Sequence, residues 1–479
     1  MSWVMLKENR ERVLAALRQG YVDEVTLCTV NVFDRLAAAL YELRYWEHLE
    51  LIKIKLEKDQ DDVPNELLLR GLAVLPLLRI PNPHQAPTFL FQDHGVLRFL
   101  GFTARQIREG FNHKGVKGGP ETKRMLPHHR DDFYNAIKAV DLESLEDFRR
   151  AHIRSLWKHR LLRGGVYGLD GTGISGTGEK LVMLQQLPPA SPFVVNWGIQ
   201  GPGSEIPLGR ELVEEWLEIT DGEGISLLLM DGGFVDGEWI ASLWLRGVDC
   251  MIRVHEDMEI FKEMKGLSQM SESSFQTYRY VAYINGHKEV REVELALIEG
   301  LKEWDSFRRV VEKVPKRDPD AVGTGKGDEW PGFWGLLIRQ KTEEGEKEWG
   351  IVSTKIIKSR VSGFEEWRQR WGVENNGFRE LNQGAWLEKE TWGRSEEAIK
   401  LSIYLKIGAH NGYCLLNTKL GERLAAKGFR DLQRLLRSEP PKVLVIVEGE
   451  YTLLTIEEIV GLLGVKIKES FLPKSRWPS

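Results

Sequence analysis

The chain has few cysteines and no long hydrophobic run, and both shortages exclude classes of protein. Its 479 residues include 3 cysteines, which lie far apart and form no CxxC pair. This spacing of the cysteines excludes a disulfide framework and gives no indication of a zinc-binding module. It is typical of a protein in a reducing compartment. The most apolar early stretch, ELLLRGLAVLPLLRIP, contains two arginines and is too short to span a membrane. Because the N-terminus also lacks the apolar run of a signal peptide, we expect a cytoplasmic protein with no membrane partner.

A strong overall charge of one sign is also missing. The formal net charge is -5, with 29% charged and 42% hydrophobic residues, as in a globular chain of several folding units. The charge is uneven, because residues 101–165 contain 14 Lys and Arg against 8 Asp and Glu. Such a segment can contact nucleic-acid phosphates although the whole chain is acidic. Solvated helix faces would produce the same pattern.

A phosphate-binding loop is missing as well, although the stretch GVYGLDGTGISGTGEK at 165–180 is rich in glycine. A P-loop requires G-x-x-x-x-G-K-[ST]. Counted from Gly173, Glu179 stands at the lysine position and Leu181 follows Lys180. The stretch also leads into a strand, whereas a P-loop leads into a helix that holds the phosphates. It therefore predicts a β-hairpin with a glycine turn, and it leaves Asp170 as the residue of chemical interest.

The order of predicted elements indicates an α/β fold. Residues 1–160 are typical of helices, and GGVYGLD, KLVMLQQL and PFVVNWGI then predict an antiparallel meander. Helices alternate with the later strands GISLLLMD and DCMIRV, giving about five strands in ribonuclease-H-like order. Residues 258–355, including FRRVVEKV, predict further strands and hairpins. We therefore expect a ribonuclease-H-like core with a β-rich insertion and a helical N-terminal region, divided as 1–160, 161–257, 258–355, 356–400 and 401–479.

Three acidic residues stand out within this order. Asp170 and Asp231 each end a buried apolar run, so they are expected at the ends of neighbouring strands. Two close carboxylates repel each other unless a cation lies between them, and Mg²⁺ prefers such hard oxygen ligands. In WRQRWGVENNGFREL, Trp367, Arg370 and Glu374 are spaced to share one helical face. The alternative is that these are scattered caps and a surface Arg–Glu pair, with the carboxyl groups far apart.

The three motifs, in this order and with the strand-rich insertion before the third, resemble the DDE transposases of bacterial insertion sequences. The third motif is similar to the Tyr-x2-Arg-x3-Glu-x6-Lys motif of a cut-and-paste subgroup. The resemblance implies that Asp170, Asp231 and Glu374 are catalytic and hold two Mg²⁺ ions, which Mn²⁺ can replace. It implies DNA strand cleavage and strand transfer at the ends of an insertion sequence. Arg370 and Trp367, at the family's arginine and tyrosine positions, are then the DNA-binding residues.

The resemblance also implies binding partners, and it leaves the activity of this copy and several residue roles open. Double-stranded DNA, as transposon ends and target, is the expected substrate; a homodimer is expected in the DNA complex. The basic N-terminal region is the candidate for binding the ends, and residues 401–479 for dimerisation. Leu381 stands at the family's lysine position, so a degenerate or domesticated transposase that binds DNA without cutting it is the alternative. The sequence does not single out a base-stacking residue among Trp304, Trp330, Trp334 and Trp349, and His128 and His129 are candidate metal ligands or loop residues.

Overall fold

The structure is a computed structural model in which two groups of segments form separate compact units. It describes residues 6–28, 33–57, 62–111, 126–158, 160, 162, 164–187, 192–270, 275–284, 287–313, 330–342, 345–420, 428–438 and 441–462. Part of the predicted DNA-end-binding segment, residues 112–125, therefore lies outside the described residues. One unit combines Met1–Ser155 with Glu380–Ser479, and the other is Leu156–Arg379. The roles expected for the five sequence segments stay predictions.

The α-helices are numbered along the chain. They are α1 Arg10–Arg18, α2 Phe33–Glu42, α3 Tyr45–Leu49, α4 Asn65–Val74, α5 Ala86–Phe89, α6 His94–Phe99, α7 Ala104–Glu109, α8 Asp131–Lys138, α9 Leu142–Lys158, α10 Ile206–Ile219, α11 Gly237–Leu245, α12 Glu259–Met270, α13 Asp305–Val311, α14 Arg360–Arg368, α15 Arg379–Ala385, α16 Glu396–Leu420, α17 Phe429–Ser438 and α18 Ile456–Leu462. Short 3-10 helices cover Pro83–Gln85 and Gly232–Phe234, and a π-helix covers Val373–Phe378.

The strands are numbered in the same way. They are β1 Lys7–Glu8, β2 Glu24–Cys28, β3 Gly165–Gly173, β4 Lys180–Gln186, β5 Val194–Gln200, β6 Ile225–Met230, β7 Asp249–Val254, β8 Gln276–Ile284, β9 His287–Leu301, β10 Phe333–Thr342, β11 Gly345–Ser353, β12 Lys442–Val447 and β13 Glu450–Leu454.

The unit Leu156–Arg379 is built on a nine-stranded sheet in the order β5-β4-β3-β6-β7-β11-β10-β9-β8. Strands β3, β4 and β5 form the predicted antiparallel meander, and β3, β6 and β7 run parallel. The sequence predicted about five strands in this sheet. The difference arises because β11 pairs with β7, so β8–β11 extend the same sheet. This pairing satisfies the backbone groups that an edge strand at β7 would leave open.

One predicted strand is a helix. The segment FRRVVEKV was expected to be extended, but residues 305–311 form α13. Its two adjacent valines favour a strand locally. Phe307 is fully buried, however, and its ring lies 4.5 Å from that of Phe333, while Arg308 forms ion pairs with Asp305 and Glu312 at helical spacing. Side-chain burial and these pairs outweigh the strand propensity.

The two faces of β3 are covered by different elements. On one face, Leu169 packs against α10, where a Cβ on Gly209 would come within 2.9 Å of the leucine side chain. On the other face, a Cβ on Gly168 would come within 2.4 Å of Val373 in the π-helix. Successive strand residues face opposite sides of a sheet, so Asp170 shares the face of Gly168. The side chain of Asp170 therefore lies on the same side as the π-helix.

The predicted glycine turn is present between β3 and β4. Gly176 and Gly178 adopt positive φ values of 79° and 76°, which favour glycine. The backbone N–H of Ile174 donates to the carbonyl of Glu179, which closes the hairpin. The stretch does not lead into a helix N-terminus, so the P-loop interpretation is excluded.

The unit of Met1–Ser155 with Glu380–Ser479 is mainly helical. Its small sheet has the order β1-β13-β12-β2 and joins strands from both ends of the chain. The 25-residue helix α16 packs against α2, α4 and α8. Cys28 and Cys414 of this unit are buried thiols, as is Cys250 of the other unit. Within the described segments, no helix has both the length and the apolar content needed to cross a membrane.

The contact between Gly168 and Val373 can be tested with a matched pair of substitutions in β3. Gly168→Ala places a methyl group where Val373 lies, whereas a Cβ on Gly173 meets no atom within 4 Å. We expect Gly168→Ala to lower the free energy of unfolding by about 1–3 kcal/mol because of overpacking. Gly173→Ala should change it by less than about 0.5 kcal/mol. Urea denaturation of both variants measures the difference, and equal stabilities would contradict the packing described above.

Candidate functional site

Two acidic residues follow paired positions of neighbouring parallel strands. Leu169 of β3 is opposite Met230 of β6, so Asp170 and Asp231 follow at the same edge of the sheet. The sequence predicted Asp170 at the end of its strand, and this prediction is wrong. Strand β3 continues to Gly173 because it pairs with β4. Asp231 ends β6 as predicted and folds back, accepting a hydrogen bond from the backbone N–H of Gly233 at 2.8 Å.

Glu374 is brought to the same face by an irregular helix. The prediction that Trp367, Arg370 and Glu374 share one straight α-helix is wrong. Helix α14 ends at Arg368, and the chain then tightens, because the N–H of Arg370 donates to the carbonyl of Trp367 at 3.0 Å. It next widens into the π-helix, whose Val373 packs on Gly168. Glu374 follows that contact and its side chain is exposed.

Because the chain turns more widely in the π-helix, the residue one turn beyond Glu374 is not the residue expected in an α-helix. At the end of the π-helix, the backbone N–H of Arg379 donates to the carbonyl of Glu374, so Arg379 lies one turn beyond it. Arg379 is exposed, whereas Leu381 is fully buried in α15. The position that the sequence motif assigns to lysine is therefore a core position, and an arginine lies closer to Glu374 along the helix.

Arg370 forms the strongest contact of the site. Its Nη1 donates to Oδ2 of Asp170 at 2.6 Å, and the two side chains are 11% and 13% exposed. The other carboxylate oxygen of Asp170 accepts the backbone N–H of Gly171 at 2.9 Å. A charged pair this deeply buried is costly unless both partners are well hydrogen-bonded.

The pKa of Asp170 shows that the three acidic residues share one neighbourhood. Burial raises this pKa from 3.8 to about 6, against the lowering effect of the Arg370 charge. The negative charges of Asp231 and Glu374 contribute to the same rise of the pKa. The structure therefore brings together three acids that are remote in sequence, and their mutual repulsion would be relieved by a bound cation.

Magnesium is compatible with this site by donor chemistry. Asp170, Asp231 and Glu374 offer carboxylate oxygens, the ligands that Mg²⁺ and Mn²⁺ prefer. Among the residues that the structure describes, however, no group of three or more His, Cys, Asp or Glu side chains is arranged to hold a metal ion. Asp170 is not part of a closed set of metal ligands. One of its carboxylate oxygens contacts Arg370, and the other contacts the backbone N–H of Gly171.

Trp367 has a supporting position. It is 4% exposed, so its ring packs inside the unit, 5.0 Å from the ring of Trp349. The guanidinium group of Arg370 lies 5.6 Å from the Trp367 ring, within reach of a cation–π contact. Trp349 is half-buried and carries the guanidinium group of Arg253 at 5.5 Å from its ring.

The other tryptophans named in the sequence analysis differ in their surroundings. Trp304 and Trp330 pack their rings against Phe307 and Phe333 in an aromatic cluster. Trp334 lies in β10 and is half-buried. Of the four candidates, Trp349 is therefore the one whose ring contacts the motif that carries Arg370.

Sequence reasoning missed His255, which follows β7 at the same edge of the sheet. Its Nε2 lies 2.8 Å from the carbonyl oxygen of Gly232, the residue after Asp231. Because a carbonyl oxygen can only accept a hydrogen bond, the imidazole donates from Nε2. This hydrogen bond stabilises the turn that follows Asp231. The available signal was its position directly after the buried run DCMIRV, at the end of the third parallel strand.

The two histidines that were candidate metal ligands are local structural residues. His128 is fully buried, stacks near Phe102 and lies 4.7 Å, ring to ring, from both Phe91 and Phe133. His129 Nδ1 accepts a hydrogen bond from the backbone N–H of Asp131 at the start of α8. These contacts correspond to the loop and capping role.

Comparisons with known proteins identify no family for this chain. No family model matches it, and no curated protein matches it. Among solved structures, it is similar to a cryo-EM structure of a piggyBac transposase synaptic complex with hairpin DNA. That likeness has a TM-score of 0.39 at 13% sequence identity and covers 84% of this chain and 77% of the other. A TM-score this low carries no argument about the present chain.

The raised pKa of Asp170 predicts a specific pH dependence of stability. Because the folded state holds this proton more tightly, ionisation of Asp170 removes stability as the pH rises from about 4 to 6. Asp170→Asn cannot ionise. We therefore expect its stability relative to wild type to increase by about 2–3 kcal/mol between pH 4 and 7, as measured by urea unfolding.

The matched control for this experiment is Glu218→Gln, which removes an exposed acid of α10 in the same unit. Its stability relative to wild type should stay nearly constant over the same pH range. Parallel stability curves for Asp170→Asn and wild type would contradict a raised pKa at Asp170.

Proposed function

We propose that this chain is a DDE transposase that cleaves DNA strands and transfers them at the ends of an insertion sequence. The observation that carries the proposal is that Asp170 and Asp231 follow paired residues at one edge of the sheet, with Glu374 within electrostatic reach of Asp170. They come from two parallel strands and a helix that is more than 140 residues further along the chain. Acids scattered over the surface as caps would not lie within reach of Asp170, so this placement argues against that alternative.

The sheet supports a ribonuclease-H-like core within this proposal. Its first five strands have the order β5-β4-β3-β6-β7, with three antiparallel strands followed by two parallel ones. Helices α10 and α11 connect β5 to β6 and β6 to β7. Strands β8–β11 are then the β-rich insertion between the second and third acids.

In the proposed mechanism, Asp170, Asp231 and Glu374 would hold Mg²⁺ or Mn²⁺, and Arg370 would bind a non-bridging phosphate oxygen near the cut. A metal held there would supply charge neutralisation at the phosphate, activation of the attacking hydroxyl and stabilisation of the leaving oxygen. Water forms a P–O bond to the phosphorus as the bond to the 3′ oxygen breaks, which leaves a 5′-phosphate and a DNA 3′-hydroxyl. The 3′-hydroxyl then forms a P–O bond to a target phosphodiester, whose own bond to its 3′ oxygen breaks. The chain contributes positioning and charge, and His255 holds the Asp231 turn. No covalent protein intermediate is required.

Arg379 is the proposed second phosphate contact, replacing the lysine that Leu381 cannot supply. It is exposed and lies one turn beyond Glu374 through the hydrogen bond that ends the π-helix. A guanidinium group can bind a phosphate through two parallel hydrogen bonds. This assignment favours an active enzyme over a degenerate transposase that only binds DNA.

The remaining parts of the proposal concern partners and location. Double-stranded DNA, as transposon ends and target, is the substrate, and a homodimer acts on the paired ends. The basic residues of the N-terminal region contribute end binding, and residues 401–479 contribute dimer contacts. We propose a cytoplasmic location.

A strand-cleavage assay on the DNA that flanks the gene tests the proposal. We expect Asp170→Ala, Asp231→Ala and Glu374→Gln each to lower the cleavage rate in Mg²⁺ by at least about a hundredfold, because each removes a carboxylate that would hold the metal needed at the phosphate. Glu218→Gln, an exposed acid of the same unit, should cleave like wild type. Full activity in the Asp170 and Asp231 variants would contradict the assignment.

The assay also distinguishes the alternative function. A transposase that only binds DNA would show salt-sensitive binding without metal, and it would cleave no end in Mg²⁺ or Mn²⁺. Cleavage of a terminal inverted repeat by the wild-type chain would exclude that alternative.

Substitution of Arg379 tests the proposed phosphate contact. We expect Arg379→Gln to weaken the binding of cleavable DNA by about 1–3 kcal/mol, because one charge-assisted phosphate contact is lost. Leu381→Met keeps the buried position apolar and should leave DNA binding unchanged. Filter binding at several salt concentrations measures both effects. Equal affinities of Arg379→Gln and wild type would show that Arg379 does not contact DNA.

A further inference from the structure

We infer that Arg370 occupies the place of a cation at Asp170 in the DNA-free protein, and that a DNA phosphate must draw it away before a divalent metal binds. This inference rests on the proposed function and adds to it a coupling between metal binding and DNA binding. The juxtaposition that carries it is the 2.6 Å contact between Arg370 Nη1 and Asp170 Oδ2.

The contact engages the carboxylate that the proposed metal needs. Oδ2 of Asp170 accepts from Arg370 and Oδ1 accepts from the backbone N–H of Gly171. Within the described residues no three acidic or other ligating side chains are ready to hold a metal ion. The site has the donor chemistry for a divalent cation, but its central carboxylate already has a positive partner.

Arg370 is held at this carboxylate because its other surroundings cannot compensate its charge. The side chain is 11% exposed, and its Nε is buried without a hydrogen-bond partner. The Trp367 ring, 5.6 Å away, offers only a cation–π contact. Because an unpaired buried charge is costly, Arg370 can leave Asp170 only for another anion.

A phosphodiester is an anion of suitable chemistry. Guanidinium groups bind phosphate oxygens through charge-assisted and often bidentate hydrogen bonds, and the Nε and terminal nitrogens of Arg370 supply such a pair of donors. When DNA takes Arg370, Asp170 loses its positive partner, and its repulsion from Asp231 and Glu374 is no longer offset. A divalent cation then restores the balance, so each ligand favours binding of the other, as linkage requires.

The coupling gives the protein an order of assembly. Without DNA, Arg370 competes with a divalent cation for the Asp170 carboxylate. With DNA, Arg370 moves to the phosphate, and the Asp170 carboxylate becomes available to a divalent cation. The same side chain therefore serves as a counter-ion in the free protein and as a phosphate ligand in the complex.

Mn²⁺ binding in the absence of DNA tests the inference without any measurement of catalysis. Free Mn²⁺ is followed by electron paramagnetic resonance in titrations of the full-length chain. We expect Arg370→Gln to bind Mn²⁺ about 5–150 times more tightly than wild type, the usual range of such couplings. Arg370→Lys keeps a cation near Asp170 and should bind Mn²⁺ weakly, as wild type does. The double variant Asp170→Asn/Arg370→Gln should lose the tight binding.

Arg368→Gln is the matched control. Arg368 lies two residues earlier, pairs with Glu365 at 2.8 Å and stacks over Tyr280 at 4.2 Å, so its loss does not release Asp170. Its Mn²⁺ affinity should equal that of wild type. Equal affinities of Arg370→Gln and wild type, with both folded by circular dichroism, would overturn the inference.

A second titration adds a long mixed-sequence DNA duplex. Wild type should bind Mn²⁺ more tightly with the duplex than without it, whereas Arg370→Gln should show no such gain. If wild type cleaves DNA but Arg370→Gln gains no Mn²⁺ affinity, the inference fails and the proposed function stands. If Arg370→Gln gains affinity and no variant cleaves any end, the proposed function fails while the competition at Asp170 stands.

Discussion

The pairing of β3 with β6 is the constraint on which the site depends. The two strands run parallel and adjacent, with Leu169 opposite Met230, so the residues that follow them share one edge of the sheet. A shift of one residue would turn Asp170 to the opposite face, towards α10 and away from the π-helix. The register is held by apolar packing on both faces, where the Leu169 side chain meets α10 and the Val373 side chain lies over Gly168. The position of the acidic residues at this edge of the sheet is thus a consequence of the apolar packing around β3.

The acidic cluster illustrates how a functional site differs from a stabilising one. Burial and two neighbouring acids oppose the ionised form of Asp170, and Arg370 offsets only part of this effect, since the pKa remains raised to about 6. A core selected for stability alone would replace this pair by apolar side chains of similar volume. The arrangement is therefore explained better by a requirement for charge at this place than by its contribution to folding.

The sequence predicted the strands around the site and failed at the helix that completes it. Buried apolar runs identified β3, β6 and β7, and the turn glycines identified the hairpin, because both signals are local. No local signal in VENNGF indicated the π-helix, whose Val373 packs on Gly168, about two hundred residues earlier in the chain. The Arg370–Asp170 contact and the role of His255 depend on the same long-range geometry. The strand predicted at residues 305–311 was wrong for a related reason, because the aromatic neighbours of Phe307 come from distant parts of the chain.

The π-helix has a consequence for how related chains would be matched to this one. Its wider turn accommodates one residue more than an α-helical turn at the same place, and such bulges interrupt otherwise regular helices. A relative with an uninterrupted helix would align correctly through Glu374 and then be out of phase by one position unless a gap were opened. Motif spacings counted beyond Glu374 without that gap compare positions that are not equivalent, and the one-residue shift moves the counted lysine position from the buried Leu381 to Asn382.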